Sequence, residues 1–148
     1  MKVFVDSSVL IEFANERHPA ELLDALLDSS HELYINNIVV SEFVYKLLGI
    51  IAGKSPMSVC ESEQIQETLE MYDAVAFLSS FSYLTISKAA MLKSIDYMKN
   101  YNLLPNDAMI LASCKLENIA ILASYDSDFR EACQNEGIKL ISKVEDLS

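Results

Sequence analysis

The feature that most constrains the fold is the stretch at residues 2–11, where an apolar run ends at an acidic residue and a second apolar run follows. Val3, Phe4 and Val5 predict a short strand that is buried on both faces. Ser7 or Ser8 is suited to cap a helix that continues through residues 9–13. The pattern therefore places a carboxylate, Asp6, at the carboxyl end of an inner strand, where ligands bind in open α/β sheets. An alternative role for Asp6 is to cap the helix itself.

The rest of the chain alternates between short apolar runs and helical periodicities. Further strands are predicted at residues 33–35, 83–85, 119–123 and, at a sheet edge, 139–141. Further helices are predicted at residues 19–29, 38–52, 63–73, 87–101 and 108–117, and residues 74–81 either extend the third of these or form a separate turn. This alternation predicts an α/β protein, a three-layer α/β/α sandwich around a mainly parallel four- or five-stranded sheet. A chain of 148 residues is expected to form a single domain, residues 1–148.

The helix predicted at residues 87–101 has a mixed periodicity, with Ser87 as its cap. The side chains expected to face inward are Ala90, Met91, Ile95 and Met98.

Two acidic residues lie near the start of apolar helices. Glu42 is in the first turns of the helix at residues 38–52, and Asp107 shares a face with Ile110 and Leu111. Each has a purely structural alternative: Glu42 favours a helix N-terminus electrostatically, and Asp107 caps its helix. Asn106 is equally suited to that capping role, so a cap is available without Asp107.

A fourth acidic residue, Asp126, follows the strand at residues 119–123 and is expected at the same sheet edge as Asp6. Four carboxylates at one edge repel one another unless a cation neutralises them or some are protonated. Oxygen ligands of this kind suit Mg²⁺ or Mn²⁺ rather than zinc. A bound water activated by such ions fits the hydrolysis of phosphodiester bonds.

Four segments together resemble the PIN-domain family, specifically the VapC-like toxin ribonucleases. They are VDSSVLI at residues 5–11, VSEF at 40–43, PNDAMILA at 105–112 and SYDSDF at 124–129. Their order and the length of the chain also match. The resemblance implies Mg²⁺- or Mn²⁺-dependent cleavage of an RNA substrate and, often, inhibition by a cognate antitoxin.

The resemblance also assigns roles by position. Asp6, Glu42 and Asp107 match the metal-binding acidic core, and Asp126 matches the usual fourth acidic position. Three more residues are possible supporting groups: Ser7 by hydrogen bonding near Asp6, Ser124 as a small hydroxyl residue, and Asp128, which alternatively caps the helix near Phe129.

Two departures from the family pattern lie beside these positions. Tyr125 is bulky, and Leu103 and Leu104 precede Pro105 where a substrate-facing loop is expected. Neither departure removes one of the four acids.

The composition narrows the classes of function. The net charge of −11 argues against broad, non-specific affinity for nucleic acid and suits a basic protein partner. The three cysteines show no spacing typical of disulfides or zinc, and His18 and His31 support no catalytic triad.

Without a signal peptide or an apolar run long enough for a bilayer, a cytoplasmic protein with no membrane association is expected. The apolar excess at residues 38–51 and 63–81 predicts a homodimer.

Other readings compete with a toxin ribonuclease. A phosphatase of the haloacid dehalogenase type would need an acid at position 8, which is Ser8, and a response-regulator receiver would need clustered acids near Asp6. A PIN-like protein-interaction module without turnover is the stronger rival. A housekeeping RNA-processing nuclease is the other alternative.

Overall fold

The computed structural model describes residues 1–15 and 20–148. The strands are β1 (Lys2–Val5), β2 (Glu32–Ile35), β3 (Ser82–Tyr83), β4 (Ile121–Ala123) and β5 (Lys139–Ile141). The α-helices are α1 (Ser7–Ala14), α2 (Glu21–Leu27), α3 (Asn37–Ala52), α4 (Pro56–Glu61), α5 (Ile65–Leu69), α6 (Ala74–Leu78), α7 (Lys88–Tyr101), α8 (Pro105–Leu116) and α9 (Phe129–Glu136), and a 3-10 helix spans Val144–Leu147. Pro19, the predicted start of the second helix, and His18 lie outside the described residues.

The strands form one five-stranded sheet in the order β3-β2-β1-β4-β5, with every pairing parallel. The central strand β1 aligns Val3 with Leu33 on one side and with Ile121 on the other. Because both of its edges are paired and both of its faces are covered, Val3, Phe4 and Val5 are fully buried. The predicted parallel sheet is confirmed, and so is the edge position of β5.

The helices form two groups that pack among themselves, one built on α3 with α1, α4 and α5, the other on α7, α8 and α9. With the sheet they make the predicted three-layer α/β/α sandwich. That residues 1–148 fold as a single domain stays a prediction. No helix within residues 1–15 and 20–148 combines the length and the apolar character that a membrane span requires.

The predicted inward face of α7 is confirmed for Ala90 and Met98 and is wrong for Met91 and Ile95. Met91 and Ile95 are 48% and 49% exposed, whereas Ala90, Ser94 and Tyr97 are buried. Ala90, Ser94 and Tyr97 share one face at helical spacing, and α7 packs extensively against α8.

Of the two capping alternatives for α1, the one that gave this role to Asp6 is confirmed. Asp6, rather than Ser7 or Ser8, is the N-cap of α1, and its carboxylate accepts a hydrogen bond from the backbone N–H of Ser8. The helix α8 begins at Pro105, so neither Asn106 nor Asp107 caps it. Proline fits the first helical turn because its missing N–H has no partner there.

The region after α3 is more broken than predicted. The helix expected at residues 63–73 is confined to Ile65–Leu69, and Ala74–Leu78 forms a separate short helix capped by the Asp73 side chain.

Candidate active site

The four predicted acidic residues gather at the carboxyl edge of the sheet. Asp6 follows β1 directly, and Asp126 lies three residues beyond β4. Glu42 is in the second turn of α3, the helix after β2, and Asp107 is in the first turn of α8. Because the strands are parallel, the segments that leave them emerge at the same edge.

Asp6 is held by one of its two carboxylate oxygens. Its Oδ2 accepts hydrogen bonds from the hydroxyls of Ser8 at 2.7 Å and Ser124 at 2.8 Å. The backbone N–H of Ser8 lies 3.4 Å from the same oxygen. The Oδ1 atom has no hydrogen bond to another described residue. Although the side chain is only 5% exposed, half of its carboxylate therefore remains available to a ligand.

Glu42 is held by residues from two other helices. Ser7 Oγ donates to Oε2 at 2.9 Å, and Asn106 Nδ2 donates to Oε1 at 3.0 Å. The predicted support from Ser7 thus goes to Glu42, while Ser8 supports Asp6. These two bonds connect α1, α3 and α8 at the acidic edge and fix the orientation of the carboxylate.

The carboxyl group of Asp107 has a strongly perturbed pKa. Burial, which is the largest cause, and then the nearby charges of Asp126, Asp6, Glu42 and Asp128 together raise its pKa to about 7. It makes no hydrogen bond to another described residue. The acids among the causes of this shift are the other three predicted site residues and Asp128.

The turn after β4 carries the remaining acids. Asp126 Oδ1 accepts a hydrogen bond from the backbone N–H of Asp128 at 2.8 Å, and the Asp126 N–H donates to Ser124 Oγ at 3.0 Å. Asp128 occupies the N-cap position of α9, as the alternative role predicted, but its side chain makes no capping hydrogen bond. Tyr125 is 41% exposed and donates its N–H to Ser8 Oγ at 3.1 Å.

The donor set at this edge fits a hard cation. The four acids offer only oxygen, which Mg²⁺ and Mn²⁺ prefer, and no described Lys or Arg forms an ion pair with any of them. Within residues 1–15 and 20–148, no three His, Cys, Asp or Glu side chains close around one point as a complete metal shell. Magnesium commonly takes only one or two carboxylates together with waters and substrate phosphates.

Sequence reasoning missed the roles of Ser8 and Asn106. Ser8 bonds the carboxylate of Asp6, and Asn106 bonds that of Glu42. The available signal was their position directly beside acids, but both residue types are also common helix caps, and capping was the role considered.

A parallel α/β/α sandwich with carboxylates at the carboxyl edge of its sheet defines an α/β protein with a candidate hard-metal site. The family model of the PIN domain matches residues 3–135. The chain belongs to the PIN domain family.

Named relatives are similar over most of the chain. Ribonuclease VapC6 of Methanocaldococcus jannaschii is 32% identical over 147 residues, 93% of this chain and 96% of that protein. Ribonuclease VapC2 of the same organism is 28% identical over 130 residues, 87% of each chain. A chain in the structure of a toxin-antitoxin complex from Klebsiella pneumoniae shares the fold, with a TM-score of 0.55 at 21% identity, over 86% of this chain and 89% of that one.

Proposed function

We propose that this chain is a divalent-metal-dependent endoribonuclease that hydrolyses RNA phosphodiester bonds and acts as the toxin of a toxin–antitoxin pair. The observation that carries the proposal is the set of four carboxylates at one sheet edge, where Asp107 has a pKa raised to about 7 by burial and by its acidic neighbours. Uncompensated acids are costly for a fold, so their retention is best explained by a ligand that binds them. The ribonuclease relatives supply the substrate class.

In this proposal Asp6, Glu42, Asp107 and Asp126 hold Mg²⁺ or Mn²⁺. A bound ion of this kind supplies Lewis acidity and a water that is acidified enough to attack phosphorus. Ser8 and Ser124 fix Oδ2 of Asp6, which leaves Oδ1 as its free ligand atom. Ser7 and Asn106 orient Glu42. Supporting bonds of this type typically change metal affinity or activity by about 10–100-fold.

The proposed partner is a cognate antitoxin with a basic segment. The net charge of −11 favours a basic partner electrostatically. A relative of the same fold comes from a toxin-antitoxin complex.

We also propose that the chain forms a homodimer. Exposed apolar side chains lie in the regions that motivated this prediction: Met71 and Val75 are 74% and 78% exposed, and Tyr45 is 55% exposed. Covering such side chains against a second copy removes apolar area from water. Light scattering of the purified chain at micromolar concentration measures the mass directly, and a monomer throughout that range would exclude the homodimer.

The proposed activity is tested by cleavage of a mixed RNA pool in EDTA, Mg²⁺ or Mn²⁺. We expect the wild type to cleave with either ion and not in EDTA. Asp107→Asn should lose more than roughly 100-fold in rate, since residues that only support a metal ligand already cost about 10–100-fold. The matched control is Asp96→Asn, which removes one charge from an exposed position of α7 and should cleave like the wild type.

Thermal melting under the same conditions separates a wrong substrate from a wrong site. An ion that binds only the folded state raises the melting temperature, so Mg²⁺ or Mn²⁺ should stabilise the wild type and Asp96→Asn more than Asp107→Asn. Cleavage that persists in EDTA or in Asp107→Asn would refute the metal-nuclease proposal. Metal stabilisation of the wild type without any cleavage would retain the metal site and reject the RNA pool as substrate.

A further inference from the structure

A polar cavity of about 460 Å³ opens beside the turn that carries Asp126. The cavity lies between the end of α7 and the first turns of α9, and its wall includes Tyr101, Asn102, Asp128, Arg130, Glu131 and Gln134. The acidic edge and the cavity are adjacent, because the backbone N–H of Asp128 donates to Asp126 Oδ1 at 2.8 Å. A ligand bound at the acids therefore has this cavity as its immediate neighbour.

The three charged side chains of the cavity are not used by the fold. Arg130, Asp128 and Glu131 form no ion pair and no side-chain hydrogen bond with other described residues, although they line the same space. Arg130 is also in the first turn of α9, where a positive charge is unfavourable with respect to the helix dipole. Helix stability does not explain a cation at this position.

The cavity offers both donors and acceptors beside a fixed aromatic ring. The guanidinium of Arg130 can donate two parallel hydrogen bonds, and the carboxylates of Asp128 and Glu131 can only accept. The hydroxyl of Tyr101 donates to Glu136 Oε1 at 2.7 Å, which holds its ring at the cavity wall. A bare phosphate would meet two negative charges here, so the best ligand presents acceptors on one edge and donors on another.

Among the RNA bases, guanine has this arrangement. Its O6 and N7 form a pair of acceptors that arginine binds in bidentate fashion, and its N1–H and 2-amino groups are donors that a carboxylate accepts. Adenine places a donor beside N7, which conflicts with the arginine fork, and the pyrimidines have no N7. Bases of single-stranded RNA are commonly read along these edges while stacked on aromatic side chains.

We infer that this cavity is a guanine-binding subsite for the RNA strand next to the bond that is cleaved. Arg130 donates to O6 and N7, a carboxylate of Asp128 or Glu131 accepts from N1–H and the 2-amino group, and Tyr101 forms part of the wall. The inference rests on the proposed function for the identity of the strand. A subsite of this kind selects the cleavage sequence, while the four acids at the edge perform the same chemistry on any strand.

The test is binding of short RNA to the full chain carrying Asp107→Asn, in which cleavage is expected to be blocked. Fluorescence anisotropy in Mg²⁺ buffer compares oligouridine probes that carry one central guanine, adenine, inosine or 7-deazaguanine. We expect the guanine probe to bind about tenfold more tightly than the adenine probe, as for one good bidentate contact. Inosine lacks the 2-amino group and 7-deazaguanine lacks N7, so each should lose part of that preference.

Adding Arg130→Gln should remove the preference and make the protein insensitive to 7-deazaguanine, because the contact to N7 is then already absent. The matched control is Lys139→Gln, which makes the same change in net charge at the start of β5, the opposite end of the sheet, and should keep the preference.

Equal binding of the guanine and adenine probes, or a preference that survives Arg130→Gln, would overturn the inference whatever the cleavage assays show. A guanine preference that depends on Arg130 and N7 supports the subsite even if the wild type cleaves no RNA. A wild type that shows this preference but cleaves no RNA would reject the proposed nuclease activity and keep the subsite, so failure of the subsite and failure of the nuclease proposal are distinguishable.

Discussion

Two partly buried carboxyl groups of this chain, Asp107 and Glu136, have net pKa shifts of opposite sign. Burial and, after it, the charges of the other acids at the sheet edge together raise the pKa of Asp107 to about 7. Burial also raises the pKa of Glu136, but hydrogen bonds from Tyr101 and Tyr97 and the charge of Lys115 outweigh it, so the net shift is downward. Glu136 is surrounded by hydrogen-bond and charge partners, whereas Asp107 is surrounded by other acids.

The partners of Glu136 come from two other helices. Tyr97 and Tyr101 of α7 donate their hydroxyls at 2.8 and 2.7 Å, and Lys115 of α8 lies 3.5 Å from the carboxylate at the end of α9. This carboxylate therefore joins α7, α8 and α9 and has a structural role. The comparison teaches that a half-buried acid indicates a ligand site only where its environment leaves the charge uncompensated.

The largest expected effect is on RNA cleavage, and it comes from replacing an acid at the sheet edge rather than Glu136. Asp126→Asn should lower RNA cleavage by more than roughly 100-fold, because Asp126 is proposed as a metal ligand. Asp128→Asn should lose less than about tenfold, because its exposed side chain serves the neighbouring cavity. Cleavage rates on the mixed RNA pool measure both, and Glu136→Gln, with no role in chemistry, should stay within a few-fold of the wild type. A greater loss in Asp128→Asn than in Asp126→Asn would reverse the assignment.

The next effect is on stability and tests the partnered carboxylate. Glu136→Ala should lower the free energy of unfolding by about 2 kcal/mol, since it leaves the buried Tyr97 hydroxyl without its partner. In a domain of this size that corresponds to a fall in melting temperature of roughly 4–8 °C.

The pH dependence of this loss follows from the lowered pKa of Glu136. The contribution of Glu136 to stability is present above its unfolded pKa of 4.5 and is lost as pH falls through its lower folded pKa. The melting temperatures of the wild type and Glu136→Ala should therefore converge in acid. Circular dichroism melts between pH 8 and pH 3 provide the measurement. Equal melting temperatures of the wild type and Glu136→Ala at pH 7.5 would show that the contacts of Glu136 with α7 and α8 contribute no stability.

The smallest expected effect is a rise in melting temperature on replacing Asp107, opposite in sign to the fall expected for Glu136→Ala. Because the folded pKa of Asp107 is raised, stability is fully present below the unfolded value of 3.8 and declines as pH rises toward the folded value of about 7. Without divalent ions, Asp107→Asn should therefore melt a few degrees higher than the wild type at pH 8. This figure assumes about 1 kcal/mol after solvent screening of a half-exposed group, at roughly 2–4 °C per kcal/mol. The gain should vanish near pH 4, and a variant that melts lower than the wild type at pH 8 would contradict the like-charge account.

Local features of the chain predicted the central part of the fold and the candidate acids. The run at residues 3–5 is apolar and ends at Asp6, so a buried strand delivering a carboxylate to a sheet edge follows from short-range pattern alone. Glu42 and Asp107 were identifiable because each interrupts an otherwise apolar helical surface. These inferences need only neighbouring residues, and the structure agrees with the positions they assign.

Only the tertiary structure decided which groups hold those acids and which remain without partners. Ser124 reaches Asp6 across 118 positions and Asn106 reaches Glu42 across 64, contacts set by where β4 and α8 cross the sheet edge. The buried face of α7 likewise contains Ala90, Ser94 and Tyr97 and leaves Met91 and Ile95 exposed. Periodicity fixes which residues share a face of an element, but the distance and orientation between elements depend on the packing of the whole core, so hydrogen-bond partners and exposed faces are not encoded in any single segment.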